Sequence, residues 1–393
     1  MSILNSRFEK SGLFTFLAVL CLLVVTVPAA DAGPREQAKR LHDRLAGVPP
    51  ASTVLDAMAA DIAAGRPDDA AFIAMDNSAF YNVTLKNFVT PWTNEEQTVF
   101  APLNDYTATV IGMVRDDVPF NTLLSADLFY VGKASLGLPP YSMNNNDHYQ
   151  ALEDQGIDLK AALVAVKQSA VTDLVPAATA GVITSRAAAE AFFIDGTNRA
   201  MFRFTLLNHL CTDLQQIKDT SRPTDRIRQD VSRSPGGDSR IFLNACVGCH
   251  SGMDPMVQAY AYYNYDKTAG RLVYTPGSVQ AKYLINADNF KFGYITPDDH
   301  WDNYWRQGPN ALLGWDGTLP GGGSGAKSMG MELENSDAFA SCQVQKVFRA
   351  MCLRAPGNSA DRSKVAAMIA SFKGSNYQLK RVFSEAAVYC MGD

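Results

Sequence analysis

Ala245-Cys246-Val247-Gly248-Cys249-His250 is a C-x-x-C-H stretch, the attachment signal for a c-type haem. Each residue type has a chemical task. The two thiols add across the vinyl groups of the porphyrin. Cysteines three apart share one face of a helical turn, so both reach one edge of a flat ring. His250 follows directly and can place its imidazole under the iron as proximal ligand. Other uses of C-x-x-C need partners that are missing. A thioredoxin-like redox pair wants a βαβ setting, and zinc wants a second ligand pair at short spacing. The expected cofactor is one covalent haem c on Cys246 and Cys249, with His250 as metal ligand.

The start of the chain agrees with this reading. Arg7 and Lys10 precede an apolar run over 13–27, Pro28 breaks it, and Ala30-Asp31-Ala32 supplies small residues for signal peptidase. The run is shorter than the roughly 18–20 apolar residues that span a bilayer. Cys21 lacks the small preceding residue of a lipidation site. Residues 1–32 are therefore expected to be a signal peptide cleaved after Ala32. The product is expected to be an exported, periplasmic protein with no transmembrane segment. Haem is joined to thiols outside the cytoplasm, so the two features support one compartment. The formal charge of −5 argues against nucleic acid or an anionic membrane surface as partner.

The pattern outward from the motif predicts a mainly α protein. Helices are expected at 34–45, 52–64, 94–116, 159–174, 185–211 and 240–265, the last interrupted at Pro255. Three more close the chain at 336–354, 360–373 and 376–390, with Ser336 or Asp337, Ser359 and Ser375 as N-caps. Short β pieces are expected near 271–274 and 282–285. Residues 33–211 read as a helical scaffold domain. The polar segment 212–238, with Pro223, Pro235, Gly236 and Gly237, reads as a linker or surface crossing. Residues 239–393 read as a cytochrome-c-like haem domain ending in the three-helix segment.

The sixth iron ligand has several candidates. Met329 and Met331 follow the glycine-rich stretch 314–330, read as a mobile loop, and precede a helix, so a loop could carry a thioether over the distal face. His300 would give bis-histidine ligation, and another residue or an unliganded sixth position are the remaining options. Met253 and Met256 lie too close to His250 to reach the other ring face. His42, His148 and His209 read as ordinary core or surface residues. Met ligation favours electron transfer, whereas an open position allows peroxide or oxygen chemistry.

The other cysteines after the signal segment are Cys211, Cys342, Cys352 and Cys390, and an oxidising compartment favours disulfides. Cys342 and Cys352 are ten apart in a helical run, about 15 Å between Cα atoms and too far to bridge. Two pairings remain: Cys211 with Cys342 and Cys352 with Cys390, or Cys211 with Cys352 and Cys342 with Cys390. No Ser-His-Asp set, phosphate loop, paired-carboxylate motif or calcium loop stands out.

The stretch from Ala245 through Ser251-Gly252-Met253-Asp254-Pro255 resembles the A-C-x-x-C-H-x-x-M-D-P signature of bacterial cytochrome-c-like proteins of unknown function, abundant in planctomycetes. Arg115-Asp116-Asp117-Val118-Pro119-Phe120 through Leu123-Leu124-Ser125-Ala126-Asp127 resembles that family's R-D-D-R-P-F-x-x-L-L-T-A-D segment. Residues 199–211 resemble its stretch ending in Leu-Cys. Phe339-Ala340-Ser341-Cys342-Gln343-Val344-Gln345-Lys346 resembles its F-A-x-C-x-V-x-K/Q helix. The resemblance covers most of 95–390. It implies a haem c, a mostly helical fold and pairing of Cys211 with Cys342, which leaves Cys352–Cys390 to join the ends of two neighbouring helices. The chain departs from the family where 212–219 is polar rather than proline-rich. It also lacks the additional cytochrome or carbohydrate-binding modules of large members.

The expected function is electron transfer by an exported monohaem c-type cytochrome with a redox protein partner, as a carrier or redox-complex subunit rather than a catalyst. A simple carrier needs only about a hundred residues, and this chain has 393. That excess keeps two alternatives in view: a peroxidase- or oxygenase-type haem enzyme with an open distal site, and an assembly protein stabilised by haem.

Overall fold

The computed structural model describes residues 32–194 and 196–392. The expected signal segment lies outside these residues except for Ala32. The described chain is mainly helical, with three short antiparallel two-stranded ladders: Phe129–Gly132 with Leu163–Val166, Tyr263–Asp266 with Arg271–Tyr274, and His300–Asp302 with Gly322–Ser324.

Local chemistry explains where the helices begin and end. Pro34–Ala46 opens on a proline, whose fixed φ suits the first helical position. It closes at Gly47 with φ 72°, the left-handed stop that glycine adopts without strain. Ser52–Ala63 and Pro67–Met75 follow and pack with it. At the other end of the chain run Asp337–Cys352, Ser359–Gly374 and Leu379–Tyr389. The Ser336 hydroxyl accepts from the Phe339 amide at 3.2 Å, as a cap should. The second of these helices is capped by Asn358 rather than Ser359. The third starts after Gln378 rather than Ser375, because Asn376 and Tyr377 both take positive φ (57° and 56°).

Other expected helices are shorter, each for a physical reason. The 94–116 segment is helical only over Asp105–Arg115. Asn94 instead bonds the backbone of Thr90 and Thr98, and Asn104 caps the Thr107 amide at 3.0 Å. Within 159–174, Leu163–Val166 pairs with Phe129–Gly132 as a strand, a tertiary pairing that overrides helical periodicity. The 185–211 run divides into Arg186–Phe192 and Arg199–Thr205, with positive φ at Gly196 and Asn198 between them. The expected strand at 282–285 is a 3₁₀ turn, Ala281–Leu284. The glycine-rich stretch is ordered: Gly322–Ser324 is a strand, and Gly325–Glu334 is a helix that contains both Met329 and Met331.

One continuous apolar core extends from Ala38 to Ala387. Leu379–Tyr389 packs on Pro67–Met75, and Asp337–Cys352 packs on the π-helical turn Leu206–Leu210. Two disulfides fasten this arrangement. Cys211–Cys342, with Cα atoms 5.2 Å apart, ties that π turn to Asp337–Cys352. Cys352–Cys390, at 5.3 Å, ties the ends of two C-terminal helices. These are the pairs that the resemblance implied. Segment 212–238 lies against the rest of the chain: Ile227 and Arg228 are buried, and the Asp219 amide donates to the Gly248 carbonyl at 2.9 Å.

Candidate haem site

The expected single helix over 240–265 is built in stages. Ser239–Ile241 leads into a π turn, Phe242–Cys246, then the α-helix Val247–Val257 and a 3₁₀ turn, Gln258–Tyr260. Tyr263–Asp266 is already a strand. Pro255 sits inside the helix, where it cannot donate to the Ser251 carbonyl. The regular helix ends two residues later. π turns of this kind recur at functional sites, and this one delivers Cys246 to the first position of the motif.

Cys246 and Cys249 are both partly exposed and unpaired, whereas the other four cysteines among the described residues are disulfide-bonded. The two thiols and His250 border an open cleft of about 850 Å³, together with Arg199, Arg203, Phe204, Asp213, Leu214 and Met253. The size is that of a cofactor site. Residues 213–220 run close along the helix. Gly248 permits this, because a Cβ there would lie 3.2 Å from the Lys218 Cβ. The Ser251 hydroxyl donates to the Asp219 carbonyl at 2.9 Å, and the Cys249 thiol lies 3.5 Å from the Leu214 carbonyl. Burial pushes the Cys249 thiol above its ordinary pKa, which keeps it as a thiol.

Behind His250 lies a charged assembly. Asp254, one helical turn on, places its carboxylate oxygens 3.1 and 3.2 Å from His250 Nδ1. With Nδ1 engaged, Nε2 is the nitrogen left for a ligand bond. Asp254 is fully buried. Burial alone would raise its pKa, but Arg199 and His250 more than offset this and hold the carboxyl well below the usual range. Arg199 grips it with Nε at 2.8 Å and an Nη at 3.0 Å, and reaches Asp230 at 2.6 and 3.1 Å. Such two-pronged pairing fits the planar guanidinium. At another part of the cleft wall, Arg203 and Asp213 form a second paired fork at 2.7 and 3.1 Å.

The donor set fits a covalent haem c: two free thiols on one helical face, an oriented imidazole and a cleft beside them. Cys246, Cys249 and His250 would hold the group. Among the described residues no cluster of three or more His, Cys, Asp or Glu is arranged to hold a bare metal ion.

The candidate sixth ligands lie elsewhere. Met329 is fully buried in the main core, and Met331 is 41% exposed on the same helix. His300 is exposed on its strand, 3.6 Å from Asp302. None of the three borders the cleft. Met253 does, but it is held on the helix of His250. The three earlier histidines serve the scaffold: His42 Nδ1 contacts the Val48 carbonyl at 2.8 Å, His148 accepts from the Gly132 amide at 2.8 Å, and His209 meets the Tyr106 hydroxyl at 2.7 Å.

Sequence reading missed Arg199, Asp230, Arg203 and Asp213 as site residues. Asp254 had a local signal, since it is four residues from His250 and so on the same helix face. The others come from distant segments and have none. No known family model, curated protein or solved structure matches the chain.

Proposed function

We propose that this protein is an exported monohaem c-type cytochrome that transfers electrons to or from a redox protein partner. The observation that carries the reading is the state of the six described cysteines. Four are paired in bridges, while the two of the C-x-x-C-H motif stay free at the edge of a cleft that also receives His250. The bridges suit an oxidising compartment. The haem would be tethered by Cys246 and Cys249 and ligated by His250, and when bound it supplies a one-electron couple. Asp254 would hold the imidazole in place through Nδ1. Among the described residues no helix is long and apolar enough to cross a membrane.

One observation favours a second reading, a haem enzyme with an open distal site. The cleft wall carries one imidazole, His250, and one thioether, Met253, both on the same helix. The purified holoprotein separates the two readings. A low-spin oxidised spectrum that resists added cyanide, with reversible one-electron titration, supports the carrier. A high-spin spectrum, stoichiometric cyanide binding and fast peroxide turnover would replace it with the enzyme.

A further inference from the structure

The assembly behind His250 goes beyond what attachment requires. A backbone carbonyl would suffice to orient the ring. Here the acceptor is instead a carboxylate with no solvent exposure, at 3.1–3.2 Å from Nδ1. Its remaining lone pairs are taken by Arg199 and by the Arg228 amide at 3.4 Å, and Asp230 holds Arg199 from the other side. Arg228, itself buried, has its Nε 3.9 Å from Asp230. The nearest formal charge to the imidazole is therefore negative, and beyond it Arg199 and Arg228 are balanced by Asp254 and Asp230.

We propose that Asp254, clamped by Arg199 and Asp230, is a positioning residue that fixes His250 with Nδ1 protonated, aims Nε2 into the cleft and biases the bound iron toward the ferric state. The inference rests on the haem reading. Accepting the Nδ1 proton in a hydrogen bond makes the imidazole a stronger donor. Ferric iron carries one more positive charge than ferrous iron, so a buried carboxylate on the far side of its ligand stabilises the ferric form more. The haem is then a low-potential centre for its ligand set, suited to giving up an electron rather than holding one.

Asp254→Asn separates charge from geometry, because the amide oxygen still accepts from Nδ1. Loss of an outer-shell partner typically costs 10–100-fold in metal affinity or activity, and a change of the same order is expected in the redox balance. With the hydrogen bond kept, the lower end applies. The ferric-to-ferrous ratio at fixed poise should move about tenfold toward ferrous, a 59 mV rise for one electron.

Asp230→Asn is the second variant, for the case in which loss of the Asp254 charge prevents folding. Asp254 stays in place, Arg199 shields it more fully, and the midpoint should rise by less than tenfold. Midpoints are compared only between samples with equal covalent haem by mass. A midpoint that is unmoved or lowered in a haem-loaded Asp254→Asn protein overturns the inference and leaves the haem reading intact. The same result in Asp230→Asn decides if the first variant does not fold. Wild-type protein without covalent haem overturns both.

Discussion

Gly252→Ala tests whether the helix that carries Cys249 and His250 is seated as described. Gly252 lies two residues after His250 in Val247–Val257. A Cβ there would stand 1.9 Å from Trp305 Nε1, 2.2 Å from Cε2 and 2.7 Å from Cδ1, where ordinary contacts begin near 3.4 Å. The indole cannot easily retreat. It is fully buried, the Phe202 ring lies 5.9 Å away, and the Trp305 carbonyl accepts from Trp315 Nε1 at 3.0 Å. Overpacking of this kind costs about 1–3 kcal/mol, and three ring atoms within reach put it at the upper end. Replacing a helical glycine by alanine recovers about 1 kcal/mol of propensity. The clash wins by about 2 kcal/mol, roughly a thirtyfold loss in the folding equilibrium. At about 2.1 cal/mol/K per residue of unfolding entropy, this lowers the melting temperature by about 3 °C. The assay is thermal and urea unfolding, with Gly374→Ala as control, since nothing lies within 4 Å of a Cβ there. A Trp305→Phe background should shrink the Gly252→Ala penalty, because the two sites share one contact. A Gly252→Ala protein as stable as wild type would refute the packing.

The remaining predictions concern charge and covalent ties. Glu334 is buried, accepting from the Leu124 amide and the Ser125 hydroxyl, and burial pushes its pKa up to about 8 from 4.5. The folded state therefore holds this proton longer than the unfolded state. Its stabilisation is complete below pH 4.5 and is lost as pH rises to about 8, at most about 5 kcal/mol. Glu334→Gln should flatten that slope, so its urea midpoint should exceed that of wild type at pH 9 and not at pH 4; parallel pH profiles would contradict this. Arg199→Ala leaves the Asp254 and Asp230 carboxylates without their shared cation and should cost about 3–5 kcal/mol in urea unfolding. Opening Cys211–Cys342 with paired serines should cost up to about 5 kcal/mol, and opening Cys352–Cys390 up to about 4, following loops of 131 and 38 residues; wild-type stability unchanged by reductant, with no loss in either variant, would show that neither bridge forms.

Much of the helical frame was legible because local signals and tertiary demands agree. Pro34 and Ser336 mark helix starts through their own backbone or hydroxyl chemistry, and the first two and last three long helices lie near their expected places. Leu163–Val166 misled because its periodicity permits a helix, while its partner strand is more than thirty residues away. The glycine-rich stretch misled in the opposite sense. Gly325 has positive φ (76°) at the first position of a helix, so glycine marks a turn into order there rather than a loose loop. The site divides the same way. Cys246, Cys249 and His250 are adjacent in sequence and legible at once. Arg199 and Asp230 join them only through folding, since 51 and 20 residues separate them from His250 and no spacing rule links them.

The central claim is one haem held by two thioether bonds, and the most direct measurement is the intact mass of the purified protein. The chain is produced in a host that attaches haem to a control cytochrome c. The account predicts a mass increase of one haem that survives denaturation and acid–acetone extraction, with a c-type pyridine ferrohaemochrome spectrum, both lost in the Cys246→Ser, Cys249→Ser double variant. Recovery of the folded chain at its unmodified mass, with Cys246 and Cys249 as free thiols or bridged to each other, would contradict it.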